Sequence, residues 1–200
     1  SQNIAGGQYS SVSGGNTNTA SGTTSSVSGG LTNVASFTYT SIGGGRNNRA
    51  TAIHASVSGG WNNLASGDSA SVSGGTNNVA SGANASVSGG QGGAAAGTSN
   101  SISGGNGGDT SGLASSISGG FNNNATANYA SVLGGGTNTA SGISSTVSGG
   151  VTNIASGVGS NTSGGQDNTA SGSRASVSGG LNRSSLGIYD WRAGGFFQTQ

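Results

Sequence analysis

Few residues of this 200-residue chain can do chemistry. There is one histidine, His54, and there are four carboxylates: Asp68, Asp109, Asp167 and Asp190. Serine is abundant, but a serine nucleophile needs a base to take its proton, and His54 is the one imidazole on offer. Acid–base catalysis by paired carboxylates needs two of them at one place. These four fall in different repeats and different columns of the pattern described below. Cysteine is absent, which removes disulfides, thiolate metal sites and thiol nucleophiles. A lone histidine cannot build a His-based metal site, and columns of Asn without Asp lack the charge of a calcium site. None of the many Gly-Gly pairs opens a helix, so a phosphate loop is not credible. The expectation is a protein that is not an enzyme, with no metal and no cofactor.

Composition narrows the classes further. Glycine supplies 44 residues, Pro, Cys and Met are absent, and charged residues make up 4%, all of them Arg or Asp. Only 30% of residues are hydrophobic, much of that Ala, so one ordinary globular core is out of reach. With a net charge of +1 there is no basic surface for nucleic acid. No apolar run approaches the ~18 residues of a membrane span. No N-terminal segment reads as a signal peptide. The missing initiator Met points to a processed product or a segment of a longer chain.

Residue order overturns the disordered reading that this composition alone would suggest. The sequence repeats with a period of 15, as S-V-S-G-G-x-N-N-x-A-S-G-x-x-[AS], without insertions. Twelve rows run from Ser11 to Asp190, and Asn3 to Gly7 already fit the frame. One column holds Val12, Val27, Ile42, Val57, Val72, Val87, Ile102, Ile117, Val132, Val147 and Val177, with Thr162 the exception. A 15-residue period lacking helix formers predicts an all-β parallel β-solenoid, a β-roll with one repeat per coil and about twelve to thirteen coils. The S-V-S segment alternates as a half-buried strand, and the Ala of N-x-A-S-G faces the Val column across a thin core. Gly-Gly and the Asn pair supply the turns, since both tolerate positive φ. The Asn column from Asn18 to Asn168 predicts a coil-to-coil ladder of side-chain amides. At roughly 4.8 Å per coil, twelve coils span about 58 Å. The solenoid is expected over 1–190, with 191–200 as a C-terminal cap or tail. There Trp191, Phe196 and Phe197 form either a lid over the last coil or a surface for assembly.

Variation within the chain marks candidate contact surfaces. The column after Gly-Gly carries Leu31, Arg46, Trp61, Phe121, Val151 and Leu181, and the opposite corner carries Tyr9, Tyr39, His54, Tyr129, Arg174 and Tyr189. Tyr39, His54, Trp61, Phe121 and Tyr129 are the candidate binding residues, standing out as ridges from a body of Ser, Gly and Ala. They read either as corner residues free to vary or as contacts to a sister subunit, a glycan or a matrix protein. Two Ser columns, such as Ser56 and Ser58, form a flat hydroxyl grid like the T-x-T arrays of ice-binding solenoids.

The motif S-V-S-G-G-x-x-N-x-A-S-G-x-x-S resembles the head repeat of YadA-like trimeric autotransporter adhesins, S-V-A-I-G-x-x-S-x-A-x-G-x-x-S. The shared positions read, for example, Ser56-Val57, Gly60, Ala65 and Gly67, and the likeness covers nearly the whole chain. It implies a left-handed parallel β-roll, trimeric, displayed on a bacterial surface and binding host matrix or other surfaces. The combined expectation is a non-enzymatic extracellular or cell-surface adhesin or fibre segment that self-associates as a trimer or filament. The alternatives are an ice-binding solenoid and a phage tail fibre or extracellular filament subunit.

Overall fold

A computed structural model describes residues 2–194 of the chain. The protein is an all-β parallel solenoid of about 13 coils. It divides into two compact units, Ser1–Gly107 and Gly108–Gln200. Among the described residues no helix is long and apolar enough to cross a membrane.

In the first unit, the Ser-Val segments form one parallel ladder, from Ser11–Val12 through Ser56–Val57 to Ser101–Ile102. Each residue pairs with the one a full repeat later: Ser56 with Ser71, Val57 with Val72. A second ladder runs from Ile4–Ala5 through Leu64–Ala65 to Ala94–Ala95, again in register, Leu64 with Val79 and Ala65 with Ala80. The second unit repeats both, with the Ala ladder from Asp109–Thr110 to Ser184–Ser185 and the Val ladder from Ser116–Ile117 to Trp191–Arg192. A third ladder was not legible in the sequence. The residue after each Gly-Gly makes an isolated parallel bridge to its counterpart, as in Arg46 to Trp61 and Trp61 to Thr76. A single bridged residue leaves no alternation to read.

Strand alternation sends Ser outward and Val inward, so Val27, Ile42, Val57, Val72, Val87, Ile102, Ile117, Val132, Val147 and Val177 are all buried. Val12 is only half-buried, in the first Ser-Val strand, where the ladder has a neighbour on one side. Thr162 sits in the same column, fully buried, and its hydroxyl donates to the Ile154 carbonyl at 3.2 Å. The Ala column faces this line with almost no exposure.

The Asn column departs from expectation in a useful way. It lies in the core rather than in a turn: Asn18, Asn33, Asn48, Asn63, Asn78, Asn123, Asn138, Asn153 and Asn168 are all buried. Nor does it bond amide to amide. Asn63 Nδ2 donates to the carbonyls of Gly59 at 2.9 Å and Gly75 at 3.0 Å, and its Oδ1 accepts the main-chain N–H of Asn78 at 2.9 Å. One side chain therefore closes main-chain groups of its own coil and of the next, which is how a buried turn keeps its polar atoms paired without water. Among the glycines, Gly60 shows why its column tolerates no side chain. Its φ is +89, and a Cβ there would fall on the Gly75 carbonyl oxygen.

The Asn line breaks at Gly93 and Gly108. The N–H of Gly93 still donates to its usual partner, Asn78 Oδ1, at 2.9 Å. The space of the missing amide is taken by Ile102, whose Cγ2 and Cδ1 come within 3.5 and 3.6 Å of where a Gly93 Cβ would be.

Candidate interaction surface

Two corner columns are held in the left-handed region, and the variable column after Gly-Gly, which forms the third ladder, lies directly beside the first of them. At the first corner, Asn47, Asn62 and Asn77 have φ of 59, 56 and 57; at the second, Tyr39 and His54 have φ of 58 and 57. Asn adopts this region readily, whereas bulky or β-branched residues do so at a cost. The return comes from the backbone. The left-handed residue turns its N–H toward the preceding coil, so that Asn62 donates to the Arg46 carbonyl and Tyr39 to the Thr23 carbonyl, each at 2.9 Å. Side chains at both corners consequently project away from the core.

All five predicted binding residues are exposed: Tyr39, His54, Trp61, Phe121 and Tyr129. The structure brings together only two. The rings of Tyr39 and His54 stack with centroids 4.9 Å apart and planes within 4°. His54 is thus engaged with an aromatic ring on the corner ridge. Tyr129 occupies the same column in the second unit, between Ala114 and Ser144, and Phe121 bridges to Gly136. Trp61 belongs to the bridged column beside the first corner, between Arg46 and Thr76. Lower in the second unit, the Arg174 guanidinium lies 5.3 Å from the Tyr189 ring centroid and donates to its hydroxyl at 2.7 Å.

A side-chain amide ladder does exist, but in the exposed column beside the buried one. Asn47 Nδ2 donates to Asn62 Oδ1 at 3.0 Å, and Asn62 Nδ2 donates to Asn77 Oδ1 at 2.7 Å. This row runs alongside Arg46 and Trp61. Arg49, also exposed, opens the Ala-ladder strand on the other side of the corner. Arg49 and the amide row were missed by the sequence reading. The available signal was the placement of two of the five Arg within four residues, one repeat ahead of Trp61.

The Ser grid is not an unbroken plane. Gly43 replaces one Ser and leaves a shallow notch of about 230 Å³ bordered by Ser26, Ser28, Ser41, Ser56 and Ser58. In the second unit Leu133 rises from the same column, exposed. At the C-terminal end Trp191 lies in the last strand of the Val ladder. Trp191 pairs with Ser176, in the outward column of the Val ladder, and is 64% exposed, with its indole N–H donating to Ser178 Oγ at 2.7 Å. Leu186 is likewise exposed. Phe196 and Phe197 lie outside the described residues. Comparison with known proteins finds no family model that matches the chain and no curated protein that matches its sequence.

Proposed function

We propose that this chain is a non-enzymatic structural and adhesive β-solenoid, an extracellular or cell-surface adhesin or fibre segment acting through repeated surface contacts and self-association. The observation that carries this reading is the division of labour among columns. Inward columns are nearly invariant, whereas the variable side chains are delivered outward, at the positive-φ corners and in the bridged column beside one of them. A surface of many similar, modestly sized contacts works by multivalency rather than by one deep pocket. The chemistry-bearing residues agree with a role outside catalysis: His54 is stacked on Tyr39, and the four Asp occupy four different columns. The resemblance to YadA-like heads adds left-handed winding, trimeric assembly and bacterial surface display to this proposal, with a host matrix protein or glycan as partner. The notch at Gly43 and the protruding Leu133 count against a flat ice-binding face.

Absolute mass by light scattering tests the self-association. The expected result is a trimer near three times 18.6 kDa, or open-ended polymers if the chain is a filament subunit. A monomer at all concentrations would overturn it.

A further inference from the structure

We propose that the first-unit corner formed by Arg46, Asn47, Arg49, Trp61, Asn62 and Asn77 is a binding site for an anionic saccharide. The inference deepens the adhesive reading of the corner columns and rests on it.

Three features converge there. The first is Trp61, a large indole held 53% exposed on a wall of otherwise small or polar side chains. A flat apolar ring of this kind accepts the C–H face of a pyranose, and its exposed position on a corner leaves that face open to a ligand. The second is the row of amides. A primary amide offers two N–H donors and two lone pairs. After the bonds from Asn47 to Asn62 and from Asn62 to Asn77, each still has hydrogen-bonding capacity directed to solvent. Backbone φ near 57 fixes all three Asn in the same orientation. Alternating donors and acceptors at the coil spacing, about 4.8 Å, suit a chain of hydroxyls rather than a single polar group.

The third feature is charge. Arg46 and Arg49 are exposed and stand in one coil on either side of the corner residue Asn47, Arg46 in the bridged column with Trp61 and Arg49 at the start of the strand Arg49–Ala50. The one carboxylate in the sequence of this unit is Asp68, which lies in the opposite corner region, just before Ser69 of the second corner column. Among the described residues the ion pair is Arg192 with Asp190, in the other unit. The guanidiniums therefore lack a carboxylate partner, and their planar forks match a carboxylate or sulfate. Two cations are too few for a nucleic-acid strand, which takes an extended cationic groove. They suffice for a sugar bearing one acidic group per ring, whether uronate or sulfate ester.

Calorimetric titration of the full chain with three oligosaccharides of equal length tests this: an oligogalacturonate, a heparin fragment and a maltooligosaccharide. One or both acidic probes should bind at least about tenfold more tightly than the neutral one. Preference for the oligogalacturonate assigns the ligand as a uronate, and preference for the heparin fragment assigns it as a sulfate ester. Trp61→Ala should weaken the acidic probe by about tenfold, with Trp61→Phe recovering part of the loss. Arg46→Gln with Arg49→Gln should weaken it and flatten its salt dependence. Gln166→Ala, in the same column of the second unit, should bind like the parent, and thermal melts should show all variants folded. Equal binding of neutral and acidic probes, no binding of any probe, or undiminished binding by Trp61→Ala would overturn the site. Light scattering on the same samples separates the two readings. An assembled protein that ignores the probes loses the site alone, whereas a monomer that binds them through Trp61 loses the assembly alone.

Discussion

Asn63 does with one side chain what a turn in an ordinary globule leaves to solvent. Its buried amide bonds two carbonyls and one N–H. Asn63→Ala removes those bonds together and leaves the Gly59 carbonyl and the Asn78 N–H unpaired, while the Gly75 carbonyl keeps the Trp61 N–H. The expected loss is about 2–4 kcal/mol, read as a lower denaturant midpoint. A loss below about 0.5 kcal/mol would mean that water replaces the amide. At this scale the sequence was only partly legible. The Asn column was visible as a column, yet a side chain that is polar and small reads as a turn residue, and nothing in its identity says that it faces inward. The left-handed corners were hidden for a related reason. Positive φ is expected of Gly and Asn, but Thr17, Tyr39 and His54 adopt it as well. Their conformation is imposed by inter-coil hydrogen bonds such as Tyr39 to Thr23, not by local preference.

At the scale of the strand, burial alternates within two residues. Val57 is buried to 1% exposure, while Ser58 beside it is exposed. Val57→Asp should unfold the neighbouring coils, because a carboxylate in this thin core has no cation within the coil stack to pair with. Ser58→Asp should change the melting temperature by no more than about 3 °C. Circular dichroism during a thermal melt distinguishes the two, and a Val57→Asp protein with full β signal would place that column outward. Both main ladders were readable because period and alternation agree over every row. What stayed hidden were compensations between rows, such as Ile102 filling the space left by Gly93. Two separate substitutions in different columns carry no sign, as sequence, that they share one volume. The same limit applied to the candidate surface. Trp61 was legible as an outlier, but its grouping with Asn62 and Arg46 depends on coil stacking, which places residues a full repeat apart side by side.

For the molecule as a whole, the scarcity of charge makes stability a matter of packing and main-chain pairing. The Asp190 carboxyl is held below its ordinary value. Desolvation pushes it up, but the hydrogen bond and charge of Arg192 outweigh that. A depressed carboxyl contributes stability above its unfolded pKa of about 3.9, and loses that contribution as pH falls through the lower folded value. Arg192 is exposed and Asp190 partly so, so the contribution of the pair is small and screened by salt. The melting temperature should therefore move by less than about 3 °C between pH 5 and 9 and between low and molar salt, with a decline confined to pH below about 4. A strong salt-induced drop would reveal an electrostatic contribution that the structure does not contain. Saccharide binding through Arg46 and Arg49 should respond to salt over the same range, so folding and recognition become separable by ionic strength alone.

The unbroken register has a consequence at the level of the gene. Each residue pairs with the one fifteen positions on, and no coil carries an insertion. Excising or duplicating fifteen codons inside either unit therefore joins one coil to another whose upper and lower edges carry the same pattern of donors and acceptors. Replication slippage in such a gene adds or removes whole coils in frame, and the length of the displayed surface can drift between generations while its fold stays the same.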